Sequence, residues 1–549
     1  MNDFDIISTD VLVVGSGGAG CSAAIEACNV GSKVTLISKG RFLNGCTLNV
    51  KTTAAVGLSN NGDNYEIAAN DLFKAGYCLG NKEIIKELMK NSYGSVSDLL
   101  KYGISLKKEC NNNIFLKKYP GHSYPRNIYF ESDKLNKELG YGYSHGIAIM
   151  ESLNNELKKK DVELLENVVL ETILTNEEKD RIIGAIVFDC KSGKYISFNC
   201  KSIILATGSF TNIYSKTKTS SFETGDGHAC AFEAGAELID MEVIQFDPLS
   251  VRICPGMKLY NNNMEEFLKT YGIKDPYESN KESLVYAVAM EILRTNDNIR
   301  VDFKDCYTIK DRPTWFDEFV SNYFKQYGKD LKTEVISSTP ISHTTFGGIN
   351  VNQYFESNIK GLYAAGAVVG GIYGFARPKG FSSMIALVSG KLAGRFAAEA
   401  NIGSSKSKIS NKYLREIIQK KNESLCTNRG KEPKYFKDKL HNIVDNYSPA
   451  IKEHNKLSAG LDKLSFLEEE IKNTKFKVKN SFDILKSQEI RNLISTAKLH
   501  FASCLIRKES RGTFFRSDYP KLNDHHWLKN IILYIQGDEV KVKYLNKKI

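Results

Sequence analysis

No two of the twelve cysteines in this 549-residue chain fall at C-x-x-C spacing. That argues against a zinc ribbon, a thioredoxin-type site and a ferredoxin-like cluster. No metal site is expected, and most thiols are read as reduced, buried small hydrophobes. No run approaches the roughly 18–20 apolar residues that cross a bilayer, so no membrane insertion is expected. The opening MNDFDIISTD is acidic and lacks the basic and apolar regions of a secretion signal, which predicts a cytoplasmic protein. Proline is scarce, 11 residues against 41 glycines, and this argues against a Pro-rich or low-complexity chain. No internal repeat is visible.

What is present is an ordinary globular balance, 42% hydrophobic and 25% charged. At roughly 150 residues per domain the length corresponds to three or four domains. That is enough chain to bury cores without disulfides or structural metals. The charge is uneven: Lys and Arg number 75 against 64 Asp and Glu, net +11. Residues 401–549 carry 31 against 17, net +14, while residues 1–400 carry 44 against 47, net −3. A lysine-rich bias on a solvated surface accounts for this. The sharper readings are a docking face for an acidic partner and a nucleic-acid surface.

The first segment with chemistry is DVLVVG-SGGAG at 10–20. DVLVV reads as a short buried parallel strand. Gly15, Gly17 and Gly20 then match G-x-G-x-x-G, with Ser16, Gly18 and Ala19 between them, and an Ala-rich helix and a second strand, KVTLISK, follow. Gly15 permits the tight turn, Gly17 lets the backbone approach a pyrophosphate, and Gly20 lets helix and strand pack closely. The phosphates would sit on N–H groups at the helix N-terminus. The second strand ends in Ser38-Lys39 where an NAD site usually carries an acid, which tilts the ligand toward FAD.

Residues 65–110 read as amphipathic helix ending at the Tyr102-Gly103 turn, and 145–160 as another helix. GHSYPRN at 121–127 reads as a loop. VELLENVVLETIL, RIIGAIVFD and KYISFN read as a β-meander, SIILATGS as a second buried strand running into a turn, and residues 224–248 as turn, helix, strand. Residues 250–338 look like an inserted domain, 405–510 are charged and helical, and the tail from 511 reads as two strands. The insertion holds no second G-x-G-x-x-G, so electrons are expected to come from, or go to, something other than NAD(P)H bound in its own domain.

Seven motifs occur in order: GSGGAG, ATG at 206–208, TGDGHACAFEAGAELIDMEVIQF, HTTFGGINV, GLYAAGA, RPKGFSSMIALVSG and KESRGTFFRSDYP. Together they resemble the flavoprotein subunits of fumarate reductase and succinate dehydrogenase, with L-aspartate oxidase, over nearly the whole chain. The resemblance implies an α/β fold: an FAD-binding Rossmann-like domain (1–248 and 341–402), an inserted α+β capping domain (249–340), a helical domain (403–510) and a short tail (511–549). It places FAD against Gly15 to Gly20, Ser38, Lys39, Val168, the turn Ala206, Thr207, Gly208, and Asp226. It also places FAD against Gly45, Cys46 and Thr47, against Gly366 and Ala367, and beside Ser382 and Ser383. Cys46 stands where the membrane enzymes attach FAD through a His, so non-covalent FAD is expected. Ala367 replaces the family's acid in AAGE and loses that contact.

A flavin that reduces an activated C=C bond needs its N5 near the β-carbon, cations on the carboxylate, and a proton donor on the opposite face. By resemblance His343 binds substrate and Arg377 clamps a carboxylate, a task its planar fork suits. Two positions depart from the family. Its QFHP is QFDP here, placing Asp247 at a His position, and its proton-donating Arg is held by Lys281, with Tyr286 as a second candidate donor. Asp247 is expected to repel a second carboxylate and so to exclude fumarate. His122, Ser123 and Arg126 are candidates for lining the pocket, and Arg507, Arg511 and Arg516 are read as structural.

The expected function is an FAD-dependent reductase or dehydrogenase acting on a CH–CH bond beside a carboxylate. It would exchange electrons with a separate ferredoxin-like or iron–sulfur protein. The alternatives are an oxidase of the aspartate-oxidase type and a flavin electron-transfer subunit with a degenerate substrate site. No nucleic-acid module is found, so the basic C-terminal third, if functional, would face an acidic electron carrier.

Overall fold

The computed structural model describes residues 4–42, 45–58, 62–131, 144–310, 312–313, 315–427 and 429–547. Short β-branched runs form a five-stranded parallel sheet, in the order Leu362–Ala364, Ser202–Leu205, Val11–Val14, Val34–Ser38, Val162–Glu166. Three of its inner strands are buried along their whole length, as uninterrupted apolar runs require. Val162–Glu166 therefore leaves the expected meander and extends the parallel sheet instead. The remaining meander strands, Val168–Thr175, Ile182–Asp189 and Lys194–Asn199, join Phe4–Ser8 in a second sheet.

Two helices lie against each other beside the parallel sheet, Gly18–Asn29 and Phe381–Ala400. Their backbones approach so closely that a Cβ on Gly390 would sit 2.1 Å from the Ala19 carbonyl oxygen, and one on Gly394 2.3 Å from that of Ala23. Small residues at these positions are what permit the contact.

The segment 249–340 builds a core of its own, from Leu249, Leu259, Leu284, Val301, Phe316, Ile336 and their neighbours. A three-stranded antiparallel sheet and the helices Lys281–Thr295 and Trp315–Tyr327 surround it. The C-terminal third holds helices Asn411–Asn422, Pro433–Tyr447, His454–Thr474 and Ser481–Ile506. The last is buried along most of its 26 residues, including Glu489, Asn492 and His500, so it threads the interior instead of lying on it. The tail ends in the antiparallel hairpin Lys529–Gln536 and Glu539–Asn546. Among the described residues no helix is long and apolar enough to cross a membrane.

Buried arginines are tied to acids. Arg126 pairs with Asp63 at 2.7 Å and Asp71 at 2.6 Å. Arg507 bonds Glu242 at 2.6 Å and Glu509 at 3.0 Å, Arg511 bonds Glu509 at 2.8 Å, and Arg516 bonds Asp518 at 2.6 Å. All three C-terminal arginines thus serve the packing of the tail. Removing one member of a buried pair strands its partner. Arg126→Leu is expected to lower stability by about 3–5 kcal/mol, read as a drop in the urea midpoint; an unchanged midpoint would show that Asp63 and Asp71 tolerate the loss.

His145, His228 and His500 are buried, and burial pushes each down to about 3. The unfolded chain takes up these protons near pH 6.5 and the folded chain does not. Stability is therefore full above about pH 6.5 and falls as the pH drops toward 4. Thermal scans at stepped pH should show the unfolding temperature declining through that window, with the three imidazoles outweighing the opposite contribution of Glu171 and Asp240, whose buried carboxyls are raised to about 7.

Candidate functional site

The turn after Val11–Val14 is made by glycines because nothing else fits. Gly15 has φ +109°, and a Cβ there would lie 2.3 Å from the Ala206 carbonyl oxygen. A Cβ on Gly20 would lie 1.7 Å from the Gly15 carbonyl oxygen. The helix that follows has Gly17 as N-cap, which offers no capping side chain, so the N–H groups after that of Gly18 stay available to an anion. Gly18 donates its N–H to Thr47 Oγ1 at 3.0 Å, and Ser16 and Ser38 share a hydroxyl bond of 2.7 Å.

From this turn a cavity of about 390 Å³ runs from Ser38, Lys39 and Val168 to His343 and Arg377. Along the way it is lined by Gly15–Ala19, Gly45–Thr47, Ala206–Gly208, Asp226, Gly366, Ala367, Ser382 and Ser383. Gly20 packs behind the turn. At one end Lys39 is not free to meet a ribose: its ammonium donates to Asp226 at 2.7 Å and forms an ion pair with Glu489 at 3.1 Å. Asp226 also accepts from Thr224 at 3.0 Å and from Asn492 at 2.8 Å. Its carboxylate lines the cavity but is held by three protein donors. Ser383 likewise gives its hydroxyl to the Thr52 carbonyl at 2.9 Å.

Cys46 lines the middle of the cavity, and its sulfur accepts the Ser220 N–H at 3.1 Å. Burial, then the nearby Glu223 carboxylate, pushes the thiol well up. Glu223 belongs to none of the sequence motifs, yet it too lines the cavity, where the Ser209 N–H holds it at 3.1 Å.

The far end is a cation cluster. The strands Ile244–Asp247 and Ile341–Thr345 pair antiparallel, but the register slips between Gln245 and Phe246, leaving His343 as the extra residue of a bulge. Such a bulge re-aims a side chain, here toward the cavity. Asp247 ends the facing strand. Lys281 opens the helix Lys281–Thr295, whose N-cap Asn280 accepts the Ser283 N–H at 2.8 Å. A cation at a helix N-terminus opposes the dipole, so Asp247, with which Lys281 forms an ion pair, is what holds it. Lys281 Nζ also lies 2.6 Å from His343 Nδ1. Lys218 pairs with Asp247 at 2.5 Å, and Asp247 lies 3.2 Å from His343 Nδ1. Asp247 and Lys281 stand just behind the lining and reach the cavity through Lys218 and His343, which belong to it.

The electrostatics follow from this packing. Burial raises the Asp247 carboxyl, but Lys281, His343 and Lys218 outweigh it and hold it well below the usual carboxylate range. Burial lowers Lys281, and Asp247 only partly restores it. Burial, then Lys281, pushes His343 down to about 4, so its ring is neutral at pH 7. Arg377 is half-buried, its guanidinium 5.7 Å from the ring centres of Phe346 and Tyr373, and its Nε is buried with no hydrogen-bond partner. Lys379, two residues on, lines the same end.

Several expectations change. Asp247 is not an uncompensated charge facing substrate, since two lysines neutralise it; the physical argument against a dicarboxylate lapses with that. Tyr286 is not at the cavity: 37% exposed, its ring packs on Tyr271 and Phe515. His122, Ser123 and Arg126 stay outside the lining too, His122 bonding the Lys379 carbonyl at 2.8 Å and Arg126 its two aspartates. Lys218 escapes sequence reasoning because K-T-K-T-S-S carries no pattern; Lys379 is legible from its place beside Arg377.

FAD fits this chain's own residues. The glycine turn leaves a cradle that side chains would fill, and two buried polar atoms of the lining, Thr207 Oγ1 and Arg377 Nε, lack partners. Residues 10–383 match the family described as FAD binding domain, and residues 437–549 match the fumarate reductase flavoprotein C-terminal family. The chain is similar to one of the subunits of the fumarate reductase (CoM/CoB) of Methanothermobacter marburgensis, 26% identical over 557 residues, 96% of this chain and 97% of that one. It is likewise similar to an L-aspartate oxidase of Yersinia pestis, 26% identical, covering 93% and 96%. In fold it is similar to the Mycobacterium smegmatis Sdh1 in complex with UQ1, with a TM-score of 0.88 at 21% identity, covering 100% of this chain and 95% of that one.

Gly20→Ala is expected to purify without flavin absorbance, because its Cβ would collide with the Gly15 carbonyl. Gly94→Ala is the control: in the helix Lys82–Lys101, with open space around its Cβ, it should keep full flavin. Wild-type flavin content in Gly20→Ala would refute the placement.

Proposed function

We propose that this chain, which belongs to the fumarate reductase and succinate dehydrogenase flavoprotein family, is an FAD-dependent oxidoreductase acting on a C–C bond next to a carboxylate. The observation that carries the reading is the cation cluster at the cavity's end, with the Nε of Arg377 buried and unpartnered. A guanidinium N–H buried without an acceptor is costly unless an anion completes it. A planar carboxylate is the natural partner for its fork. The cluster also counts against a decayed site, since loss of function would leave no reason to keep these cations gathered at one end of the cavity.

FAD, held non-covalently along the glycine turn, supplies the two-electron exchange. Cys46 supports the non-covalent arrangement, because burial and Glu223 keep its thiol protonated and a poor nucleophile. Arg377 binds the substrate carboxylate and Lys379 adds positive potential. Lys281, donating to Asp247 and to His343 Nδ1, leaves the neutral imidazole with its proton on Nε2, free to donate to a substrate oxygen. Lys281, behind the lining, supplies the proton for the reduced carbon by way of His343, its own pKa brought down by burial. Asp247 holds Lys281 and Lys218 in place. Electrons pass to or from a separate iron–sulfur carrier; the scattered cysteines of this chain support a separate protein for that task.

The reading is tested with FAD-loaded protein, a reduced viologen dye and a panel of enoates including fumarate. Dye oxidation is expected with at least one carboxylated enoate and with none of the corresponding amides. Arg377→Leu should lower kcat/KM by about 100-fold, within the ~2–5 kcal/mol for truncating one side of a buried charge pair. Lys281→Met should lower kcat by about 10²–10⁴ at unchanged flavin content. Wild-type kcat in Lys281→Met would remove it as proton source, and turnover of no enoate at all would overturn the reading.

A further inference from the structure

A second cavity, of about 390 Å³, opens in the helical region, walled by the first turns of Pro433–Tyr447 and Ser481–Ile506 and by Lys477 of the strand between them. That volume lies in the range of small-molecule sites. Five lysines line it, Lys434, Lys437, Lys477, Lys479 and Lys486, against three acids, Glu432, Asp483 and Glu489. No arginine takes part. The floor is apolar: Pro433, Ile490 and Leu493.

The acids do not answer all of the lysines. Lys479 pairs with Glu432 at 2.6 Å, Lys486 with Glu489 at 2.7 Å, and Lys434 turns outward to Asp438 at 2.5 Å. Among the described residues Lys437 and Lys477 make no side-chain hydrogen bond or ion pair. Lys437 is half-buried. Burial lowers its pKa; Glu489 and Asp438 oppose this, and the like charges of Lys486 and Lys39 add to it. Two ammonium groups thus converge, without a bonded counter-ion, on a cavity with an apolar base.

We propose that this cavity binds a phosphorylated small molecule of the nucleotide class, with phosphoryl oxygens on Lys437 and Lys477 and its ring on Pro433, Ile490 and Leu493. Ammonium groups act as point charges and suit a compact polyanion. The cavity is independent of the substrate end of the flavin cavity but touches its other end. Glu489 holds Lys486 on this side and Lys39 on the flavin side, at 3.1 Å. A ligand that draws Lys486 away leaves Glu489 to Lys39 alone, so ligand and FAD bind interdependently and each changes the other's affinity by the same factor.

The test is calorimetric titration of FAD-loaded protein with pyrophosphate and, separately, with ADP. Saturable binding of one ADP per chain is expected, tighter than pyrophosphate because only ADP uses the apolar floor. The double variant Lys437→Gln, Lys477→Gln should weaken ADP at least 10-fold while flavin content stays unchanged. Independently of any variant, periodate-oxidised ADP followed by borohydride should label one of the five lysines that line this cavity, located by peptide mass. Absence of saturable binding, undiminished binding in the double variant, a label elsewhere, or ADP that displaces FAD would each overturn the proposal. Pyrophosphate binding as tightly as ADP would overturn the nucleotide assignment.

Discussion

A charge taken out of water must be answered, and that constraint orders this molecule. Asp247 is answered by Lys218 and Lys281, Lys39 by Asp226 and Glu489, Arg126 by Asp63 and Asp71, and Arg507 by Glu242 and Glu509. Most of these groups join segments distant in sequence, so the ion pairs also fix how the segments sit together. Against this background Arg377 Nε is conspicuous, a buried donor that the protein leaves to something else. The distinction between answered and unanswered cations separates scaffold from binding surface more reliably than charge alone.

The inserted segment gains its meaning from the same logic. Its core is separate, and what it brings to the flavin cavity is the start of one helix. Lys281 meets Asp247 and His343, which lie on two strands of the main body. That end of the cavity is thus held together electrostatically across the junction between two bodies of chain.

The parallel sheet and the glycine turn are legible in the sequence because each depends on local pattern: uninterrupted β-branched runs and a spacing that only glycine satisfies. Val162–Glu166 is misleading because its apolar residues look the same in a meander as at the edge of a parallel sheet; only the partner strand decides. The cofactor contour is legible for the same reason as the turn, from short motifs that bring their own backbone geometry. The charge balance around Asp247 is not. Lys218 lies 29 residues earlier in a loop without periodicity, and nothing in one dimension reveals that it reaches the carboxylate. Tyr286 fails in the opposite way: on the same helix as Lys281, it sits on a face that turns to Phe515. Glu489 and Asn492, which fix the Lys39 end, come from a helix whose even burial hides any stripe.

The close passage of Gly18–Asn29 against Phe381–Ala400 has a temporal consequence. The glycine turn is among the first segments made, yet the helix that backs it, through Gly390 and Gly394, is some 370 residues downstream. At about 5–20 residues per second, a ribosome needs roughly 20–75 s to cover that distance. Throughout that interval the Ala-rich first helix is exposed without its partner and the flavin cradle has only one wall. A nascent chain of this protein therefore cannot capture its cofactor domain by domain; the decisive contact waits until more than two thirds of the polypeptide has been translated.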